Sequence, residues 1–244
     1  MEIKINKQYI HSKEDFIKYI TDNYKELDVN KVDENIIYNS FICVKNYLTS
    51  NELNNILNLG MFKFSVNKII KINLTANNLE SIPEIFRSLS ELKIVILNNN
   101  KIQKISNLEN LSKLEKLELR GNKITKIENL NHLQKLNVLT LSCNLINNIE
   151  ENDFPKIDEL KELGLFGNYL GIENKKFDKT INENNIELLK KFSIIIKSKF
   201  KSLKGLYIGG NFFTNLINIS NDNNDNYKNI IKSILPTIII DGQN

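Results

Sequence analysis

Two cysteines and two histidines are the residues best suited to chemistry in this sequence, and their spacing removes the obvious uses. Cys43 and Cys143 stand a hundred residues apart and form no CxxC pair, and His11 and His132 share no metal-ligand spacing with them. Neither a disulfide framework nor a zinc site is expected. No GxxxxGK[ST] loop, GxSxG elbow, HExxH helix or EF-hand loop occurs, and Gly209-Gly210 lacks the context of a phosphate-binding turn. Cys143 falls just before a recurring asparagine, where a small half-buried residue rather than a thiolate nucleophile is expected. The chain therefore reads as non-enzymatic, with no catalytic residue, metal or cofactor.

The composition is that of a globular protein. Of 244 residues, 41% are hydrophobic and 25% charged, and the net charge is +4, too apolar and too nearly neutral for intrinsic disorder. The 33 basic and 29 acidic residues are interspersed, without a nucleic-acid stripe or a polybasic tail. The start, MEIKINKQYIHSKED, is charged where a signal peptide would be apolar, and no run approaches the ~18 apolar residues of a spanning helix. The expectation is an intracellular protein, cytoplasmic or nuclear, with no membrane and no direct nucleic-acid partner. Oligomeric state is left open.

The elements that must position any site come from a repeat. IIKINLTANNLESI (69–82), LKIVILNNNKIQKI (92–105), LEKLELRGNKITKI (114–127), LNVLTLSCNLINNI (136–149), LKELGLFGNYL (160–170) and LKGLYIGGNFFTNL (203–216) each fit LxxLxLxxNxL. Their asparagines, Asn77, Asn100, Asn122, Asn144, Asn168 and Asn211, are separated by 23, 22, 22, 24 and 43 residues. In LEKLELRGN, Leu117 and Leu119 alternate with Lys116, Glu118 and Arg120, so one face of a short strand turns to a core and the other to solvent. Leu114 and Ile124 close the apolar layer. Asn122 stands where the chain turns inward, and its amide can satisfy backbone groups that a buried turn leaves unpaired. One repeat cannot bury its apolar face alone, so the copies must stack into a continuous core.

On these residues the chain resembles the leucine-rich-repeat family, and repeats such as LEKLELRGNKITKIENLNHLQK resemble its short, 22-residue, phosphatase-regulator-like class. The resemblance implies an α/β solenoid of about six repeats with a curved parallel sheet. It also implies roles in regulating protein phosphatase 1, as the leucine-rich light chain of axonemal dynein, or as the A-prime partner in the spliceosome. NYKNIIKSILPTIIIDG (226–242) is similar to the motif that closes many short members, with Tyr227, Ile231, Leu235, Pro236, Ile240, Asp241 and Gly242 at the matching positions.

The expected organisation is a helical N-terminal cap over 1–67, the repeats over 68–218 with a helical insertion at about 171–202, and a C-terminal cap over 219–244. Within the first segment, helical patterns cover 12–27, 32–48 and 50–59, and a strand pattern covers 62–66. Leu188, Leu189, Phe192, Ile195, Ile196, Phe200 and Leu203 recur at helical spacing in the insertion.

Register predicts which side chains leave the concave face. The candidate partner-binding residues are Ile94, Ile96, Lys116, Glu118, Arg120, Val138, Thr140, Glu162, Phe166 and Tyr207. Ile94, Ile96, Val138, Phe166 and Tyr207 place apolar groups where water would be, around a charged row, and such patches mark interaction sites. Ser142 belongs to the same outward set, and Gly164, Gly205 and Gly209 are expected to leave a shallow trough beside the aromatics. Six strands ~4.8 Å apart span roughly 25 Å, the length of a helix of about 16 residues. The expected function is a scaffold or adaptor binding a partner helix or extended peptide. The alternative is a subunit of a ribonucleoprotein or dynein-type assembly, or direct nucleic-acid binding through basic surface, which would weaken steeply with salt.

Overall fold

In the computed structural model, the described residues are 2–6, 41–45, 70–148, 150–171, 183–217 and 227–241. Among the described residues nine strands run parallel in one sheet in the order of the chain: β1 (Glu2–Asn6), β2 (Phe41–Lys45), β3 (Lys71–Asn73), β4 (Ile94–Ile96), β5 (Lys116–Glu118), β6 (Val138–Thr140), β7 (Glu162–Gly164), β8 (Gly205–Tyr207) and β9 (Ile239–Ile240). Sequential parallel pairing of each strand with the next makes the sheet the wall of a solenoid. The middle residues Ile72, Val95, Leu117, Leu139, Leu163 and Leu206 lie in register and are fully buried, as the two-residue alternation of a strand requires.

The recurring asparagine stitches one turn to the turn before it. Asn122 Nδ2 donates to Leu119 O at 2.9 Å and to Leu97 O at 3.0 Å, and its Oδ1 accepts the Ile102 N–H at 3.0 Å. Asn100, Asn144, Asn168 and Asn211 repeat all three bonds with their own neighbours. Aspartate could not replace them, since both carbonyls need a donor and a buried carboxylate would be desolvated. The residue before each asparagine has a left-handed backbone: Ala76, Asn99, Gly121, Cys143, Gly167 and Gly210 have φ between 56° and 71°. This is the inward turn, and it explains the small residue types there better than half-burial alone.

Between β7 and β8 lies helix α1 (Glu183–Lys199), which buries Leu189, Phe192, Ile195 and Ile196 in the common core. Phe192 stands edge-on to Phe154 at 5.8 Å between centroids and tilted against Phe213 at 5.6 Å. Phe213 belongs to α2 (Phe212–Ile217), and α3 (Tyr227–Ile234) also packs on α1.

Beside β9 a side chain takes the place of a backbone carbonyl. Leu97, Leu119, Leu141 and Leu165 each donate their N–H to a carbonyl of the next turn, at 2.7 to 2.8 Å. Ile208 occupies the same position beside the two-residue β9, and its N–H goes at 2.8 Å to Asp241 Oδ1, which also takes the Gly209 N–H at 3.0 Å. Tyr227 Oη donates to the other carboxylate oxygen at 2.5 Å.

The helical reading of 32–48 is corrected at its centre. FICVK, with β-branched Ile42 and Val44, is strand β2, pairing Ile42 with Ile72 on one side and with Ile3 on the other. Residues 2–6 are likewise strand within the segment expected to be a helical cap. An amphipathic helix pattern and a strand that extends an existing sheet compete for the same apolar residues, and the unpaired edge of β3 favours the strand. The helices expected at 12–27 and 50–59, the strand at 62–66 and His11 lie outside the described residues.

Candidate functional site

Three rows of side chains cross the concave face. The first row runs Lys71, Ile94, Lys116, Val138, Glu162 and Gly205 in register, the second Asn73, Ile96, Glu118, Thr140, Gly164 and Tyr207. The third, just past the strands, carries Asn98, Arg120 and Phe166. Ile94, Ile96, Val138 and Thr140 are half-buried. Phe166 keeps 48% of its surface exposed.

The glycines of this face do not form the expected trough. At Gly205 the Tyr207 ring and Glu162 Cγ line the space, in ordinary van der Waals contact at 3.5 and 3.6 Å from where a Cβ would stand. At Gly209 it is taken by the Phe166 ring at 3.4 Å and Asp241 Oδ2 at 3.3 Å. At Gly164, Ser142 Oγ and Thr140 Cγ2 fill it at 3.1 and 3.3 Å. Ser142 is thus 8% exposed rather than an outward group. The glycines let two aromatic rings lie down on the sheet, so the C-terminal half of the face is an aromatic platform instead of a groove.

The charged row is largely self-satisfied. Lys116 Nζ pairs with Glu118 Oε1 at 2.7 Å, and Asn98 donates to Glu118 Oε2 at 2.6 Å. Asn98 Oδ1 in turn accepts the Arg120 backbone N–H at 2.8 Å. The charges of the candidate set left without an ion pair among the described residues are the exposed Arg120 guanidinium and Glu162 carboxylate. Glu162 stands beside Tyr207 and Arg120 stands two strands away, giving the face one negative and one positive pole.

Reactive groups elsewhere have structural occupations. His132 Nε2 donates to the Leu108 carbonyl at 2.8 Å, bridging two turns, which requires the proton on that nitrogen. Cys143 is a half-buried free thiol at the left-handed turn, with Sγ against Gly167. Among the described residues no group of three or more His, Cys, Asp or Glu could hold a metal ion, and no helix is long and apolar enough to cross a membrane. A polar cleft of about 290 Å³ opens on another side between Lys126, Glu128, Asn131 and Asp153, without a nucleophile and base in reach of one another.

Register alone missed a second exposed column. The residue after each recurring asparagine leaves the solenoid at its rim, and there Lys101 and Lys123 are followed by Leu145 and Tyr169, which are 41% and 43% exposed. The signal was available in the sequence as one further position of the repeat.

A leucine rich repeat family model matches residues 67–124. No curated protein matches the chain. Among solved structures the chain is similar to an internalin of Listeria monocytogenes, at 23% identity and a TM-score of 0.43, over 70% of this chain and 48% of that one. The chain thus spans about half the length of that structure.

Proposed function

We propose that this chain is a non-catalytic binding module that receives a helix or extended peptide of a protein partner across the concave face. The observation that supports the reading is the aromatic platform: Phe166 is held over Gly209 and Gly210, yet stays 48% exposed. A large apolar side chain fixed by its surroundings and left in water is pre-ordered for burial by a partner, and such anchors dominate interface energies. Tyr207 over Gly205 extends the platform, with Ile94, Ile96 and Val138 as apolar flank and Thr140 among them. The internally paired Lys116 and Glu118 present little free charge, so Arg120 and Glu162 set the orientation of the partner.

In this reading the repeats from β3 to β8 are one recognition unit of the 22-residue type, capped by α3 and β9. The preceding segment and α1 support it, and the protein acts inside the cell, without binding nucleic acid, as an adaptor or regulatory subunit. The test is a pull-down with the intact protein and with a Phe166→Asp, Tyr207→Asp variant of equal thermal stability. A partner retained by the intact protein and lost from the variant supports the reading, and identical partner sets from both refute it.

A further inference from the structure

Stacked turns bring equivalent positions together, so the charge sign at each position is a choice the sequence makes between attraction and repulsion. Between the two turns that carry Asn100 and Asn122, five surface positions are charged on both sides. Three hold opposite signs and pair: Arg87 with Glu109 at 3.3 Å, Glu91 with Lys113 at 2.6 Å, and Lys93 with Glu115 at 3.1 Å. The other two hold like signs, Lys101 above Lys123 and Lys104 above Lys126. All four lysines are exposed and none has an ion-pair partner among the described residues, Glu80 and Glu128 included. The stacking is direct, since the Lys123 N–H bonds to Ile102 O at 2.8 Å, just as the Lys101 N–H bonds to Leu79 O at 2.8 Å.

Equivalent positions on adjacent turns are about 4.8 Å apart along the sheet, so Lys101 with Lys123 and Lys104 with Lys126 bring like charges close together, and like charges repel. The same two turns avoid that arrangement at every other doubly charged position. An external anion resolves it. Along the rim, the column begun by Lys101 and Lys123 continues as Leu145 and Tyr169, both exposed. Four positions at ~4.8 Å per turn cover about 14 Å, the length of four or five extended residues at ~3.3 Å each.

We infer that this rim is a second binding surface, separate from the concave face, for an acidic–apolar protein segment whose carboxylates lie over Lys101, Lys104, Lys123 and Lys126 and whose apolar side chains cover Leu145 and Tyr169. A nucleic acid strand fits less well, because its uniform charge would leave the lysines and run onto the exposed apolar side chains of Leu145 and Tyr169.

The test uses fluorescence anisotropy of the full chain with labelled synthetic peptides carrying two glutamates and a leucine–phenylalanine pair in either order, and with a labelled thymidine oligonucleotide. The expected result is that one acidic peptide binds and binds more tightly than the oligonucleotide. Its affinity should fall at least tenfold in a Lys101→Gln, Lys104→Gln, Lys123→Gln, Lys126→Gln variant and in a Leu145→Ser, Tyr169→Ser variant, while Phe166→Asp leaves it unchanged. Raising salt from about 50 to about 300 mM should also weaken it, since exposed charges are screened. No binding of either peptide, equal binding by the lysine variant, or tighter binding of the oligonucleotide overturns the inference. The premise has its own readout without ligand: Lys101→Glu should raise the melting temperature at low salt by pairing with Lys123, and a lowered one contradicts the unrelieved repulsion.

Discussion

The hydroxyl of Tyr227 donates to Asp241 at 2.5 Å while the other oxygen of that carboxylate holds the N–H groups of Ile208 and Gly209. One side chain thereby takes the place of the backbone carbonyl that accepts the equivalent N–H in the earlier turns. Asp241→Ala leaves two backbone donors and a hydroxyl without their acceptor and should lower stability by roughly 2–4 kcal/mol. Urea unfolding measures this, and the loss should exceed that of Tyr227→Phe, which removes one bond only.

Burial, reinforced by the Asp241 carboxylate, pushes the Tyr227 hydroxyl above the ordinary tyrosine range. Its folded-state value is higher than its unfolded one, so its contribution is fully present below about pH 10 and declines as pH rises beyond that point. Wild type should therefore lose stability above pH ~10 more steeply than Tyr227→Phe. Equal slopes in alkaline unfolding titrations would show that Asp241 does not hold a protonated Tyr227.

Asn122 bridges Leu119, Leu97 and Ile102, so its loss strands two carbonyls and one N–H inside the core. Asn122→Ala should cost at least ~2 kcal/mol. Asn122→Asp should cost more, because the acceptor survives but both donors are lost and a charge is buried. Chemical denaturation of the pair, with aspartate the milder change, would contradict the ladder.

The left-handed turn makes opposite demands on Gly121 and Cys143. Gly121 has φ +68°, and a Cβ there would stand 2.4 Å from Asn99 Oδ1, so Gly121→Ala should destabilise by at least ~1 kcal/mol. Cys143, at φ 56°, bears the strain of a side chain in that conformation, and Cys143→Gly should be neutral to stabilising by up to ~1 kcal/mol. Thermal melts of the two variants should move in opposite directions or leave the second unmoved.

Much of the solenoid was legible because each turn repeats the same demands: Leu117 and Leu119 inward, Asn122 at the bend, Lys116 and Glu118 outward. What misled lies where one residue type serves two architectures. FICVK satisfies a helical stripe and a strand equally, and only the waiting edge of β3, a long-range partner, decides for β2. The concave residues were placed on one face by period two, but period says nothing of where a ring lies down. Phe166 and Tyr207 lie against Gly209 and Gly205, lining the space that glycine alone suggested. Ion pairing was equally hidden, since Lys116 and Glu118 are two residues apart on one strand face and neutralise each other.

The central claim, that the concave face is the partner-binding surface, is tested most directly by site-specific photocrosslinking. A benzophenone amino acid is placed at Phe166, and as a control at Ile194, the 58% exposed apolar residue of α1. The account predicts that a protein partner is captured in cells from position 166, that the same partner is not captured from position 194, and that Tyr207→Asp abolishes the crosslink. Capture from position 194 with none from position 166 would contradict it.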